Sequence, residues 1–136
     1  MLAACLPSVA RAQLEHVAYD PCFAVLVELG GASHVPSPGA VQLRGEPLAW
    51  IADNHSKGLS PEPGTVTLHA GPDFTRRHWD APHERVATEL ISAAAPWLGA
   101  PVRRWHVHRW RYSRPRLSHV EPCLRVDRPG PVVFAG

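Results

Sequence analysis

Three stretches of the chain have the apolar runs or the alternation that are typical of β-strands. Residues 23–29 are almost wholly apolar and are followed by two glycines, which predicts a strand buried on both faces or nearly so. Residues 48–53 predict a second apolar strand that ends in a polar turn. Residues 65–70 alternate polar and apolar side chains, which predicts a third strand whose even-numbered residues lie on its buried face.

One longer segment has the spacing of an amphipathic helix. Apolar residues recur three and four positions apart, which predicts a helix over residues 82–98. Asp80 is the predicted N-cap, and Pro82 is expected in the first turn, where a missing N–H costs little. Pro96 is expected to kink or end the helix, and Gly99 suits a C-terminal stop.

A strongly polar stretch, residues 102–113, follows this helix and predicts a further strand. Side chains alternate between the two faces of a strand. Trp105 and Arg109 should therefore share one face, and His108 and Trp110 the other.

These elements predict an α+β fold with a mixed, mostly antiparallel sheet of about five or six strands. The helix at 82–98 should pack on one face of the sheet. Residues 1–17 suggest a short helix interrupted by Pro7, and residues 132–136 suggest a buried strand. We interpret residues 1–136 as one domain, and its apolar ends suggest a piece of a larger protein.

Composition excludes several classes of protein. The chain has 136 residues and a formal net charge of +2, which argues against a strongly basic nucleic-acid arm and against an acidic tail. Its 15 prolines favour short strands and many turns. Three widely separated cysteines do not suggest a disulfide framework, and no apolar run approaches a membrane span. We therefore expect a soluble, cytoplasmic protein.

Histidines and arginines offer two kinds of candidate site. His106 and His108 would share one face of a strand. A third zinc ligand would have to be His69 or a cysteine, and no spacing supports one, so we expect no metal. Residues 103–114 mix basic and aromatic side chains, as do protein surfaces that bind single-stranded nucleic acids. We favour instead the interpretation that these side chains line a binding site for an anionic, planar small molecule. We expect no nucleic-acid or membrane partner.

Motifs for phosphate binding and for nucleophilic catalysis are missing from the sequence. It contains no GxGxxG, P-loop, HExxH or Gly-x-Ser-x-Gly pattern. We interpret Asp53 with Lys57 as a turn or surface pair rather than a catalytic group. The same interpretation applies to Asp73 with Arg76 and Arg77. The catalytic residues are therefore unknown at this stage.

Four ordered stretches together resemble one family. They are Tyr19-Asp20-Pro21-Cys22, then Trp50-Ile51-Ala52 with Asn54, Ser56 and Lys57, then Leu68-His69-Ala70 with Pro72, then His108-Arg109-Trp110-Arg111-Tyr112. In this order they resemble the patterns YDPC, WIAxNxSK, LHAxP and HRWRYA of the renalase-like branch of the FAD-dependent amine oxidases. Only Ser113 departs from the last pattern. The resemblance covers nearly the whole chain.

The resemblance implies a function as well as a fold. Renalase-like flavoproteins are oxidoreductases that oxidise aberrant isomers of reduced nicotinamide dinucleotides, passing hydride to FAD. The chain resembles their substrate-binding domain alone, because it contains no dinucleotide fingerprint. We therefore expect FAD in the full-length protein but not on this chain alone, and a small-molecule substrate that could be a nicotinamide dinucleotide or an amine.

The resemblance also suggests where the site lies. The candidate substrate-binding residues are Trp50, Asn54, Lys57, His108, Arg109 and Trp110. Gly136 is the candidate cofactor-binding residue, because residues 132–136 resemble the start of the family's C-terminal strand beside FAD. Arg109 is expected either behind the sheet, paired with a carboxylate such as Glu28, or in the pocket beside the substrate's phosphates. The alternative from another class is a non-catalytic domain that binds nucleic acid or zinc.

Overall fold

The computed structural model describes residues 6–127 and 130–135 of the chain. In chain order its elements are α1 (Ser8–His16), β1 (Ala18–Leu29), β2 (Ala40–Gln42), β3 (Leu48–Asp53), β4 (Thr65–Ala70), α2 (Pro72–Arg77), α3 (His83–Leu98), β5 (Val102–Leu117), β6 (Leu124–Val126) and β7 (Val132–Phe134). The chain forms two compact units. The sheet unit is Pro21–Arg111, and the terminal unit combines residues 1–20 with 112–136.

A five-stranded sheet has the strand order β2-β3-β4-β1-β5. The pairs β2/β3, β3/β4 and β4/β1 are antiparallel. With α3 packed against β3 and β4, this architecture confirms the predicted α+β fold and its mostly antiparallel sheet. The bounds of β3 and β4 agree with the predicted strands residue for residue.

The core lies between this sheet and one face of α3. Leu90 of α3 is fully buried and belongs to the same cluster as Ile51, Leu68 and Val25 from three neighbouring strands. Strand β4 alternates half-buried and buried residues along its whole length, as the sequence predicts. Strand β1 is buried on both sides only in its middle part, from Cys22 to Val25, and Leu26 is exposed. One side of the sheet is therefore covered by the helix, and the other side is more open.

Helix α3 covers the predicted segment but starts differently. Pro82 is the N-cap rather than part of the first turn, and Asp80 lies outside the helix. The helix continues through Pro96, because a proline so close to the C-terminus removes one backbone hydrogen bond without stopping the last turn. Gly99 has a φ of 75°, the left-handed conformation that commonly ends helices, as predicted.

The short helix α2 is not predicted by the sequence pattern. It starts directly after Gly71, and its first amides are capped from a distant loop. The Glu46 carboxylate accepts hydrogen bonds from the N–H groups of Asp73 (3.1 Å) and Phe74 (2.8 Å). Phe74 is buried in the core. This tertiary cap and one buried aromatic ring stabilise a helix too short to form alone.

In the terminal unit, α1 is a nine-residue helix, and β6 and β7 form an antiparallel pair. Pro7 is the N-cap of α1, so it precedes the helix rather than interrupting it. The predicted strand at 132–136 is present over Val132–Phe134, but it is not buried, since Val133 is 59% exposed. None of the described helices is long and apolar enough to cross a membrane.

Candidate functional site

The side of the sheet that faces away from α3, here called the open face, carries most of the predicted site. On β4, Leu68 points into the core, so Thr67 and His69 point to the opposite side. Strand β3 pairs with β4 so that Trp50 is opposite His69. A register shift between Leu48 and Trp50 sets this pairing. Trp50 and His69 therefore bring two of the four stretches that carry the resemblance into contact on the open face.

Three side chains form a compact group here, which we call the Trp50 cluster: Trp50, Lys57 and His69. The ring centroids of Trp50 and His69 are 4.8 Å apart with an interplanar angle of 31°. The Lys57 ammonium lies 5.0 Å from the centre of the indole ring, within the range of a cation–π contact. A flat aromatic surface beside a fixed positive charge suits a planar, anionic ligand.

His69 is held in its neutral form in this cluster. Burial lowers the pKa of His69 below its ordinary value, and the positive charge of Lys57 lowers that pKa further. A neutral imidazole both accepts and donates hydrogen bonds at neutral pH. His69 is not among the predicted substrate-binding residues. The sequence signal that could have identified His69 is its place in the LHAxP stretch.

Asn54 lies beside the cluster, but its side chain is engaged with the protein. Its amide N–H donates to the Thr67 hydroxyl at 3.0 Å, and its backbone N–H donates to the Thr65 carbonyl at 2.8 Å. Its own carbonyl accepts from the N–H groups of Leu59 and Ser60. Asn54 therefore fixes the turn that follows β3, and with it the position of Lys57.

Asp53 differs from its predicted role as a surface partner of Lys57. It is only 5% exposed, and its carboxylate accepts hydrogen bonds from the Ser33 hydroxyl and from the Ser56 N–H (2.9 Å). Burial raises the pKa of Asp53, but these hydrogen bonds, with contributions from His55, lower it to below its ordinary value. Asp53 is thus an ionised anchor for the turn that carries Lys57.

His108 and Trp110 lie on β5, away from the Trp50 cluster. Their ring centroids are 4.4 Å apart with an interplanar angle of 60°, and Trp110 is 52% exposed. Because Val107 points into the core, both rings lie on the open face by strand alternation. Strands β4 and β1 separate β5 from β3, which puts about 14 Å between the two strands. The structure therefore places these residues on the predicted face without bringing them into contact with Trp50.

Arg109 lies on the α3 side of the sheet, on the same side as Val107. Its guanidinium donates a hydrogen bond to the Trp79 carbonyl at 3.0 Å. The expected pairing of Arg109 with Glu28 is wrong, because the Glu28 carboxylate is bound by Arg104 at 2.7 Å. The reason is geometric: Arg104 and Arg109 are an odd number of residues apart, so they point to opposite faces of the strand.

A cavity of about 700 Å³ lies in the terminal unit. Its lining includes Tyr19 and Tyr112, whose ring centroids are 6.0 Å apart in an edge-to-face arrangement, together with His119 and Cys123. This volume falls in the range of small-molecule sites. Neither tyrosine was a predicted site residue, although each belongs to one of the four resembling stretches.

The described residues do not fit the phosphate groups of an FAD. Pyrophosphates are commonly bound at a glycine-rich turn that opens a helix after a strand. Only α2 starts directly after a strand and a glycine, and the Glu46 carboxylate already occupies its N-terminal amides. Gly136, the predicted cofactor residue, lies outside the described part of the chain. Among the residues that the structure describes, no three His, Cys, Asp or Glu side chains form a group that could hold a metal ion.

The four resembling stretches meet in pairs. Trp50 of the second contacts His69 of the third in the sheet unit. Tyr19 of the first contacts Tyr112 of the fourth in the terminal unit. A search of protein-family models finds no match for the chain.

Proposed function

We propose that this chain is the substrate-binding part of a renalase-like FAD-dependent oxidoreductase of the cytoplasm. In this enzyme the flavin would carry the redox chemistry, and the chain would bind and orient the substrate. The FAD phosphates would be held by residues outside this sequence. The expected substrate is a small, planar, anionic molecule, with an isomer of a reduced nicotinamide dinucleotide as the first candidate.

One observation carries this proposal: residues from separate resembling stretches form a single aromatic and cationic group. Trp50 and Lys57 come from the second stretch and His69 comes from the third, yet Trp50 contacts both of the others on the open face. Ordinary sheet packing does not require a lysine over an indole ring that also contacts a half-buried imidazole. This arrangement is the kind that binds a flat, negatively charged ligand.

Each residue of the cluster has a distinct role in the proposal. The Trp50 ring stacks on the planar part of the substrate, and the Lys57 ammonium attracts its negative charge. Neutral His69 supports the Trp50 ring from the other strand and offers a hydrogen bond. Asn54 and Asp53 are positioning residues, because they hold the turn that carries Lys57 rather than touching the substrate.

A non-catalytic nucleic-acid domain remains the competing function. Strand β5 favours it in one respect, since Trp110 and Tyr112 are exposed on an arginine-rich strand. Several of those arginines, however, are paired within the chain: Arg104 with Glu28, and both Arg114 and Arg116 with Asp20. Pairing with carboxylates reduces the charge available to a phosphate backbone.

The test begins with the DNA that precedes the coding sequence. We expect a reading frame there that encodes a GxGxxG motif between a strand and a helix. The product of the joined frames should be yellow and should oxidise isomers of reduced nicotinamide dinucleotides. In that enzyme, Lys57→Met should raise KM about tenfold with little change in stability, since one charged contact to the substrate is lost.

The matched control is Arg85→Met, which removes a positive charge from the exposed side of α3, where Arg85 bonds Glu89 at 2.9 Å. It should leave KM unchanged. Stoichiometric flavin on the present chain purified alone would contradict the proposal, because its described residues supply no phosphate site. An equal rise in KM for both variants would show a general charge effect and would contradict the role of Lys57.

A further inference from the structure

Trp79 lies on the α3 side of the sheet unit, with two arginines over it. The guanidinium carbons of Arg109 and Arg111 are each 5.8 Å from the centre of the Trp79 ring. Arg109 is further fixed by its hydrogen bond to the Trp79 carbonyl. The ring itself lies against buried Phe23, with centroids 5.9 Å apart. Both guanidinium groups are therefore exposed but oriented.

These two arginines differ from the other arginines of β5 that form ion pairs. Arg104 is neutralised by Glu28. Within the described part of the chain, by contrast, no carboxylate oxygen lies within 4.0 Å of Arg109 or Arg111. Two oriented positive charges without a counter-charge leave a concentrated positive potential beside one indole ring.

We infer that Arg109, Arg111 and Trp79 form a binding site for a doubly charged phosphate or diphosphate group of a small molecule. Residues two apart on a strand are about 6.6 Å apart, a span that the outer oxygens of a diphosphate can bridge. Guanidinium groups present paired N–H donors that match phosphate oxygens. The cation–π contacts with Trp79 orient these donors in advance, which reduces the entropy lost on binding.

The site is separate from the Trp50 cluster and does not rest on the function proposed above. Val107 belongs to the core cluster between the sheet and α3, and Arg109 and Arg111 share its side of β5 by alternation. The Trp50 cluster lies on the open face. A dianion fits better than a carboxylate, because one ligand then balances both positive charges.

The test is calorimetric titration of the full chain with inorganic pyrophosphate at low ionic strength. We expect saturable binding of one pyrophosphate per chain. Arg109→Gln and Arg111→Gln should each weaken it by about tenfold or more, since each removes a charge-assisted pair of hydrogen bonds. Arg109→Lys keeps the charge but not the paired donors and should have an intermediate effect.

Arg104→Gln is the matched control, because it removes the same charge from the same strand. It should change the affinity by no more than about twofold, since Arg104 already has a carboxylate partner. Equal weakening by Arg104→Gln, or no weakening by Arg109→Gln, would overturn the site. The absence of saturable pyrophosphate binding to the unmodified chain would also overturn the site. The same holds if a single-stranded oligonucleotide binds through these arginines and pyrophosphate does not displace it.

Discussion

Replacement of Asp53 by alanine would remove the anchor of the turn that carries Lys57. Asp53 is nearly inaccessible to solvent, and its two carboxylate oxygens accept hydrogen bonds from the Ser33 hydroxyl and the Ser56 N–H. Truncation leaves both donors without their partner in a place that water reaches poorly. The loss in the free energy of unfolding should therefore include the desolvation of these two donors as well as the lost hydrogen bonds.

The expected magnitude follows from these two bonds. A hydrogen bond to a charged group contributes about 1.5–3 kcal/mol, and two bonds to one carboxylate are not fully additive, so we expect a loss of about 3 kcal/mol for Asp53→Ala. Asp53→Asn keeps an acceptor for the Ser56 N–H and should lose about half as much. At about 4 °C per kcal/mol, the melting temperature of the alanine variant should fall by roughly 10 °C.

Urea unfolding followed by tryptophan fluorescence measures the effect, with Asp73→Ala as the control. Asp73 is exposed and lies 2.7 Å from Arg76, so its removal should cost less than about 1 kcal/mol. The depressed pKa of Asp53 also sets a pH dependence: its stabilisation is present above the ordinary value of 3.8 and is lost as pH falls through the folded pKa. A loss of stability for Asp53→Ala no larger than that for Asp73→Ala would refute the role of Asp53 as an anchor of the turn.

Three further predictions concern the cluster, the unpredicted helix and the core. Lys57→Met should raise the pKa of His69 toward its ordinary 6.5, measured by NMR titration, because the Lys57 charge is one cause of its depression; an unchanged pKa would contradict that contact. Glu46→Ala should destabilise the protein by about 1–2 kcal/mol in urea unfolding, since two N–H groups at the start of α2 lose their cap. Leu90→Ala should lower the free energy of unfolding by about 2–5 kcal/mol, whereas Leu59→Ala, at a side chain that is 70% exposed, should lower it by less than about 0.5 kcal/mol; similar losses would argue against the burial of Leu90 in the core.

Local sequence pattern was sufficient where an apolar run or a regular alternation of side chains defines a strand. Strand β3 is a mostly buried apolar run and β4 alternates half-buried and buried residues, and both have the predicted bounds. Pattern could not reveal α2, because Glu46 caps the N–H groups of Asp73 and Phe74 from 27 and 28 residues earlier in the chain. The N-cap of α3 was also misplaced, since Asp80 and Pro82 are both acceptable before a helix and only the backbone distinguishes them.

The candidate site was predictable only in part, for the same reason. Strand alternation correctly places Trp50 and Asn54 on one face, and the turn after β3 brings Lys57 to the Trp50 ring. The contact between Trp50 and His69 depends on a register shift in β3 that no single-sequence pattern contains. The buried state of Asp53 likewise depends on Ser33, which arrives from a separate loop.

The most direct test of the proposed substrate role is an NMR titration of the chain labelled at its tryptophan indoles. The ligand is an isomer of reduced nicotinamide dinucleotide, and Trp50→Phe assigns the Trp50 signal. We predict a saturable shift of the Trp50 indole N–H, with Trp97 of α3 unaffected because it packs against the core on the other side of the sheet. An unperturbed Trp50 signal at saturating ligand, or equal shifts of Trp50 and Trp97, would contradict the account.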